Sequence, residues 1–413
     1  MAITGAGVIG LCTALYCIER GWQVTVVERN GAERDGCSYG NAGMLVPSHV
    51  IPLAAPGAVA LALKWMLRPR APFRIEPRAS WDLVDWCLRF FRAATAEHVR
   101  RAVPVLRDLH LASRACYEAL ARCGNGFGLT PTGTLMLCQS EHALAEEAHA
   151  ARVAREAGIH ADVLDAQATA ALDPSVRMDV AGSVHFPQDA NLVPQNLVRE
   201  LQRRVAEGGA QFHWNTVASG FRTDQRRVRA LLTDTGESIE ADEFVIAGGV
   251  WSAGLARSLG MRLPLQAGKG YSVTLQRPRV RPRHCAILVE ARVAVSPMGE
   301  ALRVGGTMEM AGLDASVNPM RVRSIIDAMP RYYPDFATTD FDGVPAWSGL
   351  RPCSPDGLPY LGRTRCASNL VIAAGHAMMG VSLAPITGKL AAQLLANERP
   401  EIDISQLSPD RYN

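Results

Sequence analysis

Gly5-Ala6-Gly7-Val8-Ile9-Gly10 opens a segment in which Val8, Ile9, Leu11, Ala14, Leu15 and Ile18 recur at helical spacing as far as Gly21. A β-prone run, Trp22 to Val27, follows and ends at Glu28, 18 residues after Gly10. Glycine turn, helix, strand and terminal acid in this order predict a dinucleotide-binding unit. The glycines permit a tight turn and a close approach of backbone N–H groups to a pyrophosphate, and Glu28 can accept hydrogen bonds from an adenosine ribose. A glycine triplet alone is weak, because such spacings arise by chance; the elements around it make it specific. Only Met1 to Thr4 precede Gly5, fewer than the about 5 to 6 residues of a typical strand, so the natural start is expected to lie upstream.

The chain has 413 residues, 48% hydrophobic and 20% charged, enough to bury a large core in two or three domains. That composition excludes disorder, collagen and coiled coil. Net charge is +3, from 43 basic and 40 acidic side chains, and the only lysines are Lys64, Lys269 and Lys389. Near-balanced charge gives no nucleic-acid signature. The ten cysteines contain no C-x-x-C pair and form no zinc-like cluster with histidine, so they read as reduced thiols of a cytosolic protein, with no metal site expected. Glycines interrupt the N-terminus where an export signal would need an apolar stretch. Leu53 to Leu67 is apolar but broken by Pro56, Gly57 and Lys64, short of the roughly 20 residues that cross a bilayer.

Farther along, Gly36-Cys37-Ser38-Tyr39-Gly40-Asn41-Ala42-Gly43 is a loop of small residues, suited to threading backbone past a flavin ring. Pro47 to Pro77 reads as a proline- and arginine-rich connector, followed by helices at Trp81 to Arg92 and Pro104 to Arg122. Thr132 to Gln139 reads as a strand and Glu141 to Ala157 as a helix. Pro194 suits the first turn of a helix with Leu197, Val198, Leu201 and Val205 on one face. A strand, Gln211 to Thr216, leads to a hairpin around Asp234-Thr235-Gly236. Phe244 to Ala247 is an apolar strand ending in Gly248-Gly249-Val250-Trp251-Ser252, the kind of turn at which a doubly wound sheet presents ligands. Tyr271 to Gln276, Ala286 to Glu290, Val293 to Ser296 and Leu302 to Gly306 suggest an antiparallel sheet, with a helix from Met320 to Arg331 beside it. Asn369 to Gly375 repeats the opening theme, strand into glycine turn into a helix that reaches Ala396.

Five motifs in this order resemble the FAD-dependent D-amino acid oxidase superfamily, and within it the bacterial D-amino acid dehydrogenases of the D-hydroxyproline dehydrogenase type. They are Gly5 to Gly10 with Glu28; Asn41-Ala42-Gly43 with Pro47-Ser48; Ala247 to Ser252; Gly349-Leu350-Arg351-Pro352 with Ser354 to Pro359; and Gly375 to Gly380 with Ala384 to Gly388. The chain departs from the pattern at Ala377, where relatives often have glycine. The resemblance implies an α/β fold: a Rossmann-like FAD-binding domain of the glutathione-reductase/D-amino acid oxidase type, with an inserted antiparallel-sheet substrate domain of α+β character. The division expected is 1–46, 158–255 and 340–413 for FAD, with 47–157 and 256–339 as the substrate or cap domain.

The resemblance also implies roles. Dissociable FAD would meet Gly5, Gly7, Val8, Ile9 and Gly10 at its pyrophosphate, with Glu28 and Arg29 at the ribose and Val217 at adenine. Asn41, Ala42, Gly43 and Met44 would lie beside the ring, with Ala247, Gly248, Gly249 and Trp251 nearby. Gly375, His376, Met378, Met379, Gly380, Val381 and Ser382 would complete the site, the helix after Met379 turning its positive end toward the flavin. Arg351 is the residue expected to bind substrate carboxylate, because a planar guanidinium offers two parallel N–H bonds. Tyr271 and His49 are further substrate-side candidates. The implied reaction is hydride transfer from the α-carbon of a D-amino acid, D-proline or 4-hydroxy-D-proline, to flavin N5. No side-chain base is required, since the amine lone pair drives the expulsion. Cys353 raises covalent flavin attachment as the alternative to dissociable FAD.

Electrons would pass to a quinone or another respiratory acceptor, with or without accessory subunits. The alternatives are a glycine- or sarcosine-type oxidase that makes peroxide and a catalytically silent FAD-binding subunit. Localisation is expected to be cytoplasmic. Trp65, Trp81, Trp86, Phe90 and Phe91, interspersed with arginines, raise peripheral contact with the cytoplasmic face of the inner membrane.

Overall fold

The computed structural model describes every residue except Arg34, Leu67 and Pro69. Its six-stranded sheet runs Tyr360–Arg363, Leu370–Ala374, Phe244–Ile246, Ala2–Thr4, Thr25–Val27, Gln211–His213. All neighbours are parallel except the Tyr360–Arg363 edge. Ala2–Thr4 lies at the centre and is short, but Thr25–Val27 and Phe244–Ile246 pair with it over the same three positions. The strand expected at Trp22 to Val27 therefore begins only at Thr25, and the one expected at Gln211 to Thr216 stops at His213.

The Val8–Ile18 helix leaves this sheet at the glycine turn and packs against the closing helix, Gly380–Leu395. The two backbones touch: a Cβ on Gly388 would stand 2.5 Å from the carbonyl carbon of Cys12. Ala377–Leu395 is long and apolar enough to cross a membrane, but 72% of its apolar window is buried within the protein. It is a core helix.

The second sheet has nine strands, with Ala346–Cys353 and Asp162–Asp165 at its ends and Gln266–Leu275 and Ala301–Met310 as its longest members. It is antiparallel apart from two parallel pairings, Cys285–Leu288 with Thr134–Cys138 and Ala301–Met310 with Phe73–Ile75. Strand pairing departs from the division expected from sequence. Asp162–Asp165 and Gly182–Phe186, assigned to the FAD domain, pair in the second sheet, as does Ala346–Cys353. Conversely, the Ala96–Arg122 helix, assigned to the cap, buries Leu106, Leu109, Tyr117 and Leu120 in the same core as the two nucleotide-side helices. Apolar periodicity reveals that a face is buried without revealing against which sheet.

Other boundaries also shift for local reasons. The Pro47 to Pro77 connector contains a helix, Ala58–Met66, and the strand Phe73–Ile75; Leu67, the end of the apolar run, lies outside the described residues. The helix expected from Pro104 starts at Ala96, where Thr95 Oγ1 accepts the N–H of His98 at 3.2 Å. The single helix expected over Met320 to Arg331 is two, Pro319–Ile326 and Met329–Tyr332. Pro330 has no N–H for the carbonyl of Ile326, and its ring crowds that residue.

Candidate active site

A cavity of about 1420 Å³ runs along the C-terminal ends of the parallel strands and under the second sheet. At the dinucleotide end its wall is backbone. Gly5, at φ +95°, could carry no side chain, since a Cβ would lie 2.6 Å from the carbonyl oxygen of Ala247. Gly10 is stricter, at 1.9 Å from the carbonyl oxygen of Gly5. Gly7 differs: its Cβ would meet nothing closer than Ser38 Oγ at 3.6 Å. The fold does not need glycine there, but a ligand pressed to the backbone would. Ser38 Oγ accepts the N–H of Val8 at 3.1 Å. Glu28 is buried, its carboxylate accepting the N–H groups of Ala6 at 2.8 Å and Asn30 at 3.0 Å while still bordering the cavity. The Arg29 guanidinium covers the Trp251 ring at 4.2 Å. These features fit a dinucleotide: backbone stripped of side chains at a helix start, and an acid at the end of the next strand.

Most of the expected cofactor residues border this cavity, including Val8, Ile9, Asn41, Ala42, Met44, Ala247, Gly248, Gly249, Met378, Met379, Gly380 and Val381. Four do not, and their roles are in packing. Gly10 meets Gly5; Gly43, at φ +71°, abuts the Leu192 carbonyl; Gly375, at φ +78°, lies against the Tyr360 ring. Ser382 turns its hydroxyl toward the Val46 N–H and His110. Val217 borders the cavity, but its N–H donates to Asp234 Oδ1 at 2.9 Å and its carbonyl accepts the Asp234 N–H. Of the backbone groups expected to contact adenine, the N–H is thus engaged, leaving one carbonyl lone pair beside the side chain.

The other end is made of side chains. Arg351 is half-buried and borders the cavity, with Nη1 donating to the Thr307 carbonyl at 2.7 Å. Its guanidinium lies over Gly270 on the neighbouring strand, where a Cβ would come within 2.2 Å of Nη2. Thr307 itself sits at φ +67°, an uncommon conformation for a β-branched residue. Glycine beneath and a carbonyl beside fix the plane of the guanidinium while other donors stay available.

Tyr271 borders the cavity too, but its hydroxyl is committed to another partner. It is 1% exposed in the core of the second sheet, and its hydroxyl donates to Glu309 Oε2 at 2.5 Å in a buried cluster with Lys269 and Arg321. On a strand, successive side chains take opposite faces, so Gly270 and Tyr271 cannot both face Arg351.

His49 does border the cavity. Ser48 Oγ donates to Asp189 Oδ2 at 2.7 Å and is 3.1 Å from His49 Nδ1, which makes Nδ1 the protonated nitrogen and Nε2 the acceptor. Burial, with Arg292 adding to it, pushes His49 down to about 4, so the ring is neutral. Asp189 is fully buried, accepts the Ser48 N–H at 3.1 Å and the Ser48 hydroxyl at 2.7 Å, and is pushed up by burial to about 7.

His376 is also neutral, held down by burial to about 3, and its Nε2 lies 3.0 Å from Thr387 Oγ1. Its ring is thus tied into the closing helix. Ala377 adopts φ +48°, the conformation that explains glycine at this place in the motif. Cys353 is fully buried, with its thiol 3.5 Å from the Arg351 carbonyl and pushed up to about 12 by burial, and it does not border the cavity. Such a thiol is a poor candidate for flavin attachment.

Sequence reasoning missed two residues that hold the ring-side loop. Trp347 donates to the Asp35 carbonyl at 2.7 Å, and its indole fills the space over both Gly40 and Gly349, where a Cβ would stand 2.2 and 2.0 Å from ring atoms. Arg303, 5% exposed, donates to the carbonyls of Tyr39 at 2.8 Å and Asn41 at 2.7 Å. The signal for Trp347 was present in Gly40 and Gly349; nothing local marked Arg303.

A nucleotide cradle and a guanidinium sharing one cavity define an oxidoreductase of the flavin type. Residues 1–394 match the DAO family, described as FAD dependent oxidoreductase, and the chain belongs to that family. FAD is its cofactor. The chain is similar to the D-amino acid dehydrogenase of Paramagnetospirillum magneticum, 34% identical over 100% of this chain and 98% of that protein. It is also similar to the D-amino acid dehydrogenase of Granulibacter bethesdensis, 30% identical over 99% of each chain. Among solved structures, glycine oxidase from Geobacillus kaustophilus superposes with a TM-score of 0.80 at 24% identity, covering 100% of this chain and 98% of the other. L-proline dehydrogenase from P. horikoshii does so at 0.75 and 16%, covering 100% and 96%. At these identities the structures establish the fold alone.

Proposed function

We propose that the protein oxidises a free D-amino acid, with D-proline or 4-hydroxy-D-proline as the first substrates to test, and passes the electrons to a respiratory quinone. The observation that carries this reading is Arg351, a planar cation laid flat over Gly270 in the cavity that also contains the nucleotide cradle. The names of the full-length relatives support the substrate class. Bound FAD supplies the hydride acceptor. The protein's own residues do the rest: Arg351 grips the carboxylate, the neutral His49 ring offers Nε2 to the amine, and Trp347 and Arg303 keep the 36–43 loop in place. Cys353 lies outside the cavity, which supports a dissociable flavin.

Anaerobic mixing with a panel of D- and L-amino acids and N-methyl glycines tests this directly. Bleaching by D-amino acids and by no other member is the result expected; bleaching by glycine and sarcosine with stoichiometric peroxide in air overturns it in favour of an oxidase. No bleaching by any member favours a silent flavin-binding subunit.

Delivery to a quinone draws support from the Trp81–Ala93 helix. Trp86 and Phe90 turn inward and stack, but Trp81, Val84, Leu88 and Phe91 form an outward stripe, with Trp81 87% exposed. We assign this stripe to a membrane surface on the cytoplasmic side. Flotation with anionic liposomes, lost in Trp81→Ser/Phe91→Ser, is expected; equal flotation of both forms, or of neither, refutes it.

A further inference from the structure

The closing helix carries a defect in its first turns that another helix repairs. In an α-helix the carbonyl of each residue accepts the N–H four positions on. Pro385 stands four residues after Val381 and has no N–H, so the Val381 carbonyl lacks an intrahelical donor. Tyr117, from the Ala96–Arg122 helix, supplies one: its hydroxyl donates to Val381 O at 2.5 Å. One turn away Ser113 Oγ donates to Ser382 O at 2.6 Å. Another turn away His110 Nδ1 lies 3.0 Å from Ser382 Oγ, and Nε2 lies 3.4 Å from Met379 Sδ.

Positions 110, 113 and 117 share one helix face, and all three side chains are at most 1% exposed. Ser382 Oγ accepts the Val46 N–H and also faces His110 Nδ1, while His110 Nε2 faces Met379. Burial holds His110 down to about 3, so the ring is neutral. The opposite side of the same turn, His376 to Val381, borders the cavity. Donors on the carbonyls of Val381 and Ser382 fix that turn in place and polarise its peptide groups, strengthening the N–H ends of the same peptides.

We propose that His110, Ser113 and Tyr117 are positioning residues that set the first turn of the Gly380–Leu395 helix against the flavin and thereby hold up its reduction potential. The proposal rests on the family's FAD occupying this cavity. Tyr117→Phe removes the one replacement donor with little change in volume and leaves a buried carbonyl unsatisfied. In the purified holoenzyme it is expected to weaken FAD binding about tenfold, lower the midpoint potential and weaken the sulfite adduct, with kcat reduced and KM for the D-amino acid unchanged. Adding Pro385→Ala restores an N–H to Val381 O, so Tyr117→Phe/Pro385→Ala should recover potential and FAD affinity.

A Tyr117→Phe protein with wild-type potential, sulfite affinity and FAD affinity overturns the proposal even if its melting temperature falls. So does a double variant that regains thermal stability without regaining potential. Should Tyr117→Phe fail to fold, Ser113→Ala is read by the same potential and sulfite measurements, with the same two outcomes. Wild-type protein that takes up no FAD would instead sink the cofactor assignment itself.

Discussion

The two ends of the cavity are built by opposite means. The dinucleotide end is contiguous backbone, in which Gly5, Gly7, Gly10 and Glu28 lie within one strand–helix–strand unit. The other end is assembled from side chains on remote segments: Arg351 over Gly270, Thr307 beside it, Trp347 over Gly40, and His49 tied through Ser48 to Asp189. Backbone sites tolerate no added atoms; side-chain sites tolerate small changes but lose function when one partner is removed. The difference predicts how each end fails.

The largest effect is expected at the cradle. Gly10→Ala drives a Cβ into the Gly5 carbonyl and should abolish soluble, yellow protein. Gly7→Ala, with open space at that Cβ, should fold with wild-type melting as apoprotein yet stay colourless. Equal behaviour of the two variants, in melting and flavin absorbance, would erase the distinction between a packing glycine and a ligand glycine.

At the other end, if Arg351 holds the carboxylate as proposed, Arg351→Met should cost roughly 2 to 5 kcal/mol of transition-state binding, read as kcat/KM. Arg351→Lys should recover only part of it, because a lysine cannot donate two parallel bonds. FAD content should not change in either variant.

A smaller, pH-dependent effect belongs to Asp189. Its carboxyl holds its proton more tightly in the folded protein, pushed up by burial to about 7, than in the unfolded chain, near 3.9. Its stabilising contribution is therefore full below about pH 4 and falls as pH rises toward 7. Asp189→Asn should flatten that fall, by up to about 1.4 kcal/mol per pH unit. Denaturant unfolding from pH 4.5 to 7.5 compares the slopes, and parallel slopes would show that Asp189 is ionised throughout.

The smallest change is Ala377→Gly. Relief of φ +48° should stabilise the protein by about 0.5 to 1 kcal/mol, read as a small rise in melting temperature. A fall would mean that packing of the Ala377 methyl against Trp86, Met308 and Cys353 outweighs the strain.

Much of the cradle was legible because its logic is local: a glycine spacing, a helix period and an acid at a strand end. Arg351 was legible through its motif. Tyr271 was legible as a cavity residue but its bond to Glu309 was not, and only the pairing of Gln266–Leu275 with Ala346–Cys353 shows which face carries Arg351. Strand pairing crosses the expected domain division for a related reason, since hydrophobic periodicity marks a buried face without naming its partner.

The sequence by itself determined the nucleotide unit, the cofactor class and the guanidinium, because each depends on neighbours within a few tens of residues or on a recurrent motif. Tertiary structure alone decided that Trp347 lies over two glycines more than three hundred residues apart, and that Tyr117 supplies the donor Pro385 lacks. Those contacts join residues whose separation along the chain carries no periodic signal, so only packing brings donor to acceptor.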